Sequence, residues 1–263
     1  MNSLKNLVFA ENKKGQITIF IILAILIVAA IIMVFFLYEN NGLTIKPGSS
    51  DVPQDFLSSC LNENLEKGVD LVFENSGYIV LPENTKNYNG RNIPYLCYTS
   101  EYRLKCIVAE PVLVEHLSDE LHSYMKSEVA GCLNLFKEES TSKGYQVNVV
   151  NNGFSVSLVP DKVKVNIDGK ITLNKAEEQR SFDNFESYVN SPLYEIAVIV
   201  HKIIEQEAKY CNSDYVALMR ANHWVDITKD QTGDDEKIYT VKDTKSGKSL
   251  QFAMRNCVLP TPS

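Results

Sequence analysis

Residues 145–174 read YQVNVVNNGFSVSLVPDKVKVNIDGKITLN, and the regular exchange of apolar and polar side chains along them decides the fold class. A period of two puts every apolar residue on one face of an extended strand, which is the pattern of an antiparallel sheet with one side covered. Asn152-Gly153 and Asp168-Gly169 supply residues suited to tight hairpins, so the stretch reads as a meander turning at those two places. One face of this sheet needs a cover, and the flanking sequence offers helices for it.

Upstream, PVLVEHLSDELHSYMKSEVAGCLNLFKEE (residues 111–139) places Val114, Leu117, Leu121, Tyr124, Met125, Val129, Cys132 and Phe136 on one helical stripe. Before it, PQDFLSSCLNENLEKGVDLVFENSGY (53–78) repeats the pattern with Leu57, Cys60, Leu61, Leu65, Val69 and Phe73, and Pro53 suits a first helical turn. Between the two helices come a short strand YIVLP (78–82), the turn-rich ENTKNYNGRN (83–92) and the tyrosine-rich IPYLCYTSEYRLKCIV (93–108). Downstream, a third helix begins at Ser191-Pro192 with Leu193, Ile196, Val200, Ile203, Ile204 and Ala208 on its apolar stripe, which should lie on the sheet. The end, DYVALMRANHWVDI (214–227) and KIYTVKDTKSGKSLQFAMRN (237–256), reads as further strands with a turn at Ser246-Gly247. The fold class is therefore α+β, amphipathic helices packed on antiparallel sheet.

All six cysteines, Cys60, Cys97, Cys106, Cys132, Cys211 and Cys257, lie in this part of the chain, and the even number suits three disulfides in an oxidising compartment. No CxxC occurs, so zinc is the weaker reading. Cys60 and Cys132 sit on the apolar faces of two helices and are expected to pair. Cys97 with Cys106 would clip a small loop, stabilising it by about 2–3 kcal/mol. Cys211 with Cys257 would tie the third helix to the last strand. Six cysteines nevertheless allow many other pairings.

The N-terminal part has a different character. Residues 17–37 carry no charge, and as a helix rising about 1.5 Å per residue they extend roughly 31 Å, the thickness of the hydrocarbon core of a bilayer. The run ends in Phe35-Phe36-Leu37-Tyr38, bulky where a signal peptidase needs small residues, so it reads as a retained anchor. Lys5, Lys13 and Lys14 precede it and the first positive charge after it is Lys46, which puts the N-terminus in the cytoplasm and the rest outside the cell. The resulting divisions are a basic leader (1–15), a transmembrane helix (16–38), a linker rich in Gly, Asn, Ser and Pro (39–52), a helical part (53–140) and a β-rich part with one helix (145–263).

Lys13-Lys14-Gly15-Gln16 followed at once by the apolar run resembles the class III signal of archaeal pilin-like proteins of the type IV pilin kind. The resemblance covers residues 1–38. It implies cleavage between Gly15 and Gln16 by a prepilin-type peptidase, retention of the apolar helix as an anchor, and, in members that polymerise, packing of that helix with other pilin-like subunits. Bacterial type IV pilins usually carry a glutamate five residues after the cut, where this chain has Phe20. The same border also fits an uncut signal anchor.

Chemistry is less legible. His116 and His122 are six apart and do not share a helical face, so a common metal is not expected and both read as exposed polar-face residues. His201 and Glu205 share a face but lack the HExxH pattern. His223 beside Trp224 reads equally as a binding patch or as an exposed neighbour of a buried Trp. The acidic stretch DITKDQTGDDE (226–236) lacks EF-hand spacing and reads as a solvated hairpin tip. Neither a nucleophile elbow nor a phosphate-cradling loop is present, so the chain reads as non-enzymatic, with no cofactor and no metal. A net charge of −7 without a basic stripe argues against nucleic acid. Tyr88, Tyr95, Tyr98 and Tyr102 cluster in sequence and suit either the core or contact with a partner. The expectation is a membrane-anchored cell-surface protein, a minor pilin or an anchored adhesin whose partners are the lipid bilayer, the peptidase and related subunits. A membrane-tethered receptor or enzyme, with a site formed only on folding, is the alternative.

Overall fold

The computed structural model describes residues 27–28, 52–101, 103–233 and 235–257. The leader, the Gly15–Gln16 border, the linker and nearly all of the apolar run lie outside the described residues; of the run, only Ile27 and Val28 are described, both helical. Among the described residues no helix is long and apolar enough to cross a membrane. Contacts divide the chain into Met1–Lys46 and Pro47–Ser263, and every element from Pro53 onward belongs to the second unit.

Two long helices, α1 (Pro53–Glu74) and α2 (Leu113–Ser142), form where the apolar stripes run. They pack antiparallel. Phe56 meets Phe136 edge-to-face at 5.3 Å near one end, Cys60 is bonded to Cys132, and Gly68 lies against the Tyr124 ring farther along. Gly68 is there because the helices approach closely: a Cβ would stand 2.7 Å from Tyr124 Cδ1.

Both helices pack on a three-stranded antiparallel sheet of β4 (Gln146–Val159), β5 (Lys162–Lys175) and β6 (Glu178–Asn190), α1 against β6 and α2 against β4. Val163, Val165, Ile167, Ile171 and Leu173 of β5 are buried, so the alternation has the predicted effect. The turns lie elsewhere than predicted. The β4–β5 hairpin turns at Pro160-Asp161, with Asp161 at φ +63°, and Ala176 at φ +53° lies in the next turn. Asn152-Gly153 and Asp168-Gly169 instead face each other in mid-strand, at a bulge where Gly153 pairs with Asp168. Gly169 answers to close approach, since a Cβ there would meet Val150 O at 2.7 Å. A second bulge, at Asn184 (φ +55°), continues the irregularity into β6.

The other sheet has the order β1 (Thr85–Tyr88), β2 (Arg91–Tyr98), β9 (Ser249–Arg255), β8 (Glu236–Asp243), β7 (Val225–Gly233), with β3 (Ile107–Val108) also on β2. It is mixed, because β2 runs parallel to β9 while every other pair is antiparallel. The predicted strand at 78–82 is a loop instead. Asn75 donates to Ile79 O and Ile79 N–H donates to Glu120, so side chains satisfy the backbone that a ladder would have used. The stretch read as turn-rich contains the β1–β2 hairpin, closed by Asn89 (φ +50°) and Gly90 (φ +79°), two positive-φ residues as a type I′ turn requires.

Helix α3 (Leu193–Tyr210) packs against α2 and against strands of both sheets, and Ile196, Ala197, Val200, Ile203 and Ile204 are fully buried. The segment after it differs from expectation: Tyr215–Ala221 is a helix, α4, not a strand. Asp214 caps it by accepting from Ala217 N–H, and the Val-Ala-Leu-Met-Arg-Ala sequence favours helix. The β-rich part thus holds two helices.

Candidate functional site

The six cysteines form three disulfides, Cys60–Cys132, Cys97–Cys106 and Cys211–Cys257. Each joins different parts of the framework: α1 to α2, β2 to the residue just before β3, and the C-cap of α3 to the residues after β9.

Three of the four tyrosines come together on one face of the mixed sheet. A bulge in the β2–β9 pairing between Tyr95 and Cys97 breaks the alternation of β2, so Leu96 and Cys97 both enter the main core and Tyr98 joins Tyr95 on the other side. There Tyr95 packs with Ile93, Ile238 and Ala253, and Tyr88 and Tyr98 lie against this small cluster. The Tyr95 and Tyr98 rings are 4.9 Å apart, and the Arg255 guanidinium stands 5.9 Å from the Tyr98 ring centre. Tyr95 is buried and Tyr88 and Tyr98 are half-buried, so the last two are the ones that offer surface. Tyr102 lies outside the described residues.

Charges fix the patch in place. Glu236 is buried, pairs with Lys86 and accepts from Tyr95 Oη at 2.6 Å; Asp230 accepts from Tyr88 Oη at 2.9 Å. Burial pushes the Glu236 carboxyl up, but hydrogen bonds from Lys86 and Tyr95 and the charges of Lys86 and Arg255 leave it below its ordinary value. Burial, with the neighbouring carboxylate, raises the Tyr95 phenol. The acidic stretch is therefore not wholly a solvated tip, since Glu236 turns inward; Asp234 is outside the described residues.

A groove of about 460 Å³ crosses the three-stranded sheet where its bulges line up, with Asn152, Ser155, Asn166, Asp168, Asn184 and Glu186 among its lining. It offers amide, hydroxyl and carboxylate groups and no paired nucleophile and base.

A densely bonded polar centre is buried and was not anticipated from the sequence. Glu207, in the last turn of α3, is fully buried and receives Lys237 Nζ at 2.5 Å and Tyr239 Oη at 2.5 Å, with Lys229 Nζ at 3.5 Å. Lys237 also donates to Cys211 O at 2.7 Å, and Asn256 donates to Glu207 O while accepting from Cys106 N–H. Burial raises the Glu207 carboxyl, yet the hydrogen bonds of Lys237 and Tyr239 and the two lysine charges outweigh it and hold the net value low. Burial likewise lowers Lys229 and raises Tyr239. Enclosed in this way, the carboxylate has no room for a substrate; it locks α3 to the sheet.

His116 and His122 are held by their surroundings. His116 is half-buried, with Nε2 3.1 Å from Gly77 O, Nδ1 3.3 Å from Glu110 and the Tyr78 ring 4.6 Å away. His122 stacks on Phe154 at 4.3 Å, so neither is the freely exposed residue that helix position alone suggests. His201 pairs with Glu205 at 3.3 Å, and His223 is exposed beside a half-buried Trp224. Among the described residues no group of three His, Cys, Asp or Glu side chains could hold a metal ion. No family model matches the chain, and no curated protein or solved structure matches it either.

Proposed function

We propose that this chain is a membrane-anchored cell-surface protein of pilin-like type, a minor subunit or anchored adhesin whose disulfide-braced head displays a binding surface. The observation that carries the reading is an asymmetry. An apolar run long enough to span a bilayer, bordered by Lys13-Lys14-Gly15-Gln16, precedes every cysteine, and all six cysteines beyond it pair. Paired cysteines suit an oxidising exterior, and the lysines before the run suit a cytoplasmic N-terminus.

Within the head, the tyrosine face of the mixed sheet is the surface best suited to a partner. Tyr88 and Tyr98 present amphipathic rings held by Asp230 and Arg255, so little side-chain entropy remains to be lost on binding. Protein contact, not catalysis, is the role such a surface supports.

Labelling intact native cells with a membrane-impermeant amine reagent tests the topology. Lysines of the head, such as Lys137 and Lys242, are expected to be modified without lysis. Modification only after lysis would place the head inside and overturn the reading.

A further inference from the structure

We propose that β4 is a docking edge for a second copy of this chain, the two β4 strands pairing antiparallel to join their three-stranded sheets. In the sheet order β4-β5-β6, β4 is an edge strand of 14 residues. Edge strands of that length are ordinarily guarded by charge, proline, a bulge or a covering element, and β4 has the bulge at Asn151–Gly153, which leaves a straight half on either side of it. This one reads QVNVVNNGFSVSLV and carries no charged residue. Among the described residues, its backbone bonds β5 and, at Gly153 N–H, its own Asn151 side chain; no other element bonds to it. Val150 stands 47% exposed on it.

The opposite edge is built differently. Strand β6 carries Glu178, Arg180, Asp183 and Glu186, and Gln54 of α1 donates to Glu186 O, occupying part of its backbone. The contrast points to the occupant. In a symmetric antiparallel self-pair each side chain stands beside side chains of the same sequence, so a strand rich in one charge would meet itself in repulsion. A neutral strand of Val, Asn and Ser avoids this, and its amides and hydroxyls can bond across the junction at the usual spacing of about 4.8 Å. The bulge at Asn151–Gly153 divides the strand, so the pairing uses one of its two straight halves.

Photo-crosslinking on the full chain in its native membrane tests this. A benzophenone side chain is placed singly at Val150 or Ser155, one in each half of β4, and at Asp183 or Glu186 on β6 as controls. Irradiation is expected to give an adduct of twice the chain mass from a β4 position and several-fold less from the β6 positions. Asn148→Lys combined with the Val150 probe, or Ser157→Lys with the Ser155 probe, puts the charge in the same straight half as the probe and is expected to reduce that adduct several-fold. These surface substitutions leave the core untouched, so monomer yield reports folding separately. No adduct from β4, equal yields from both edges, or an adduct with a different protein would overturn the proposal.

Discussion

Glu207 gathers the charged and hydroxyl donors of the head's buried polar centre, and the consequences can be measured. Replacing it by Gln leaves Lys237 buried without its counter-charge, so unfolding free energy in a denaturant titration should fall by about 3–5 kcal/mol. Its carboxyl is held below the ordinary 4.5 in the folded state, and Glu236 behaves alike. The folded protein therefore binds fewer protons than the unfolded chain near that pH. The stabilisation is complete above pH 4.5 and is lost as pH falls through the lowered native values, a slope that Glu207→Gln should flatten. At Gly68 the limit is space, and Gly68→Val, which pushes into the Tyr124 ring, should cost about 1–3 kcal/mol in the same assay. The sequence held a hint of Glu207, for it continues the stripe of Ile196, Val200 and Ile203 and so falls on an apolar face. What periodicity could not show was the set of donors, which arrive from β7, β8 and the residues after β9.

Among the elements, those with long regular periods were legible and those governed by local turn chemistry were not. The stripes of α1, α2 and α3 and the alternation of β5 each extend over several turns or pairs, and packing follows them. Asn-Gly and Asp-Gly carry less information, because glycine serves a bulge or a close approach as readily as a turn. Gly169 is the case in point, while Asn89-Gly90, lying in what read as a loop, makes the hairpin. The tyrosine face depended on a bulge in β2 that no spacing rule announces. The disulfides bear on the same elements. They close sequence separations of 72, 46 and 9 residues. In the chain-entropy view, replacing Cys60–Cys132 or Cys211–Cys257 by Ala pairs should cost about 4 kcal/mol each, and Cys97–Cys106 about 2.5 kcal/mol. Thermal melts of the three paired variants should rank in that order, with the Cys97–Cys106 variant closest to the parent.

For the whole molecule, α+β architecture was legible because length, alternation and helical stripes constrain it jointly, whereas the parallel β2–β9 pair depends on contacts between opposite ends of the head. The proposed function is argued from the N-terminal sequence more than from the head. The head contributes a braced, partly aromatic surface and an uncharged sheet edge, both suited to contacts outside the molecule. The most direct measurement is the N-terminal sequence and intact mass of the protein purified from its native membrane. A chain beginning at Gln16 is expected, with a mass lowered further by the hydrogens lost to three disulfides. A chain beginning at Met1 would contradict processing by a prepilin-type peptidase and leave an ordinary signal anchor, with the pilin-like reading gone.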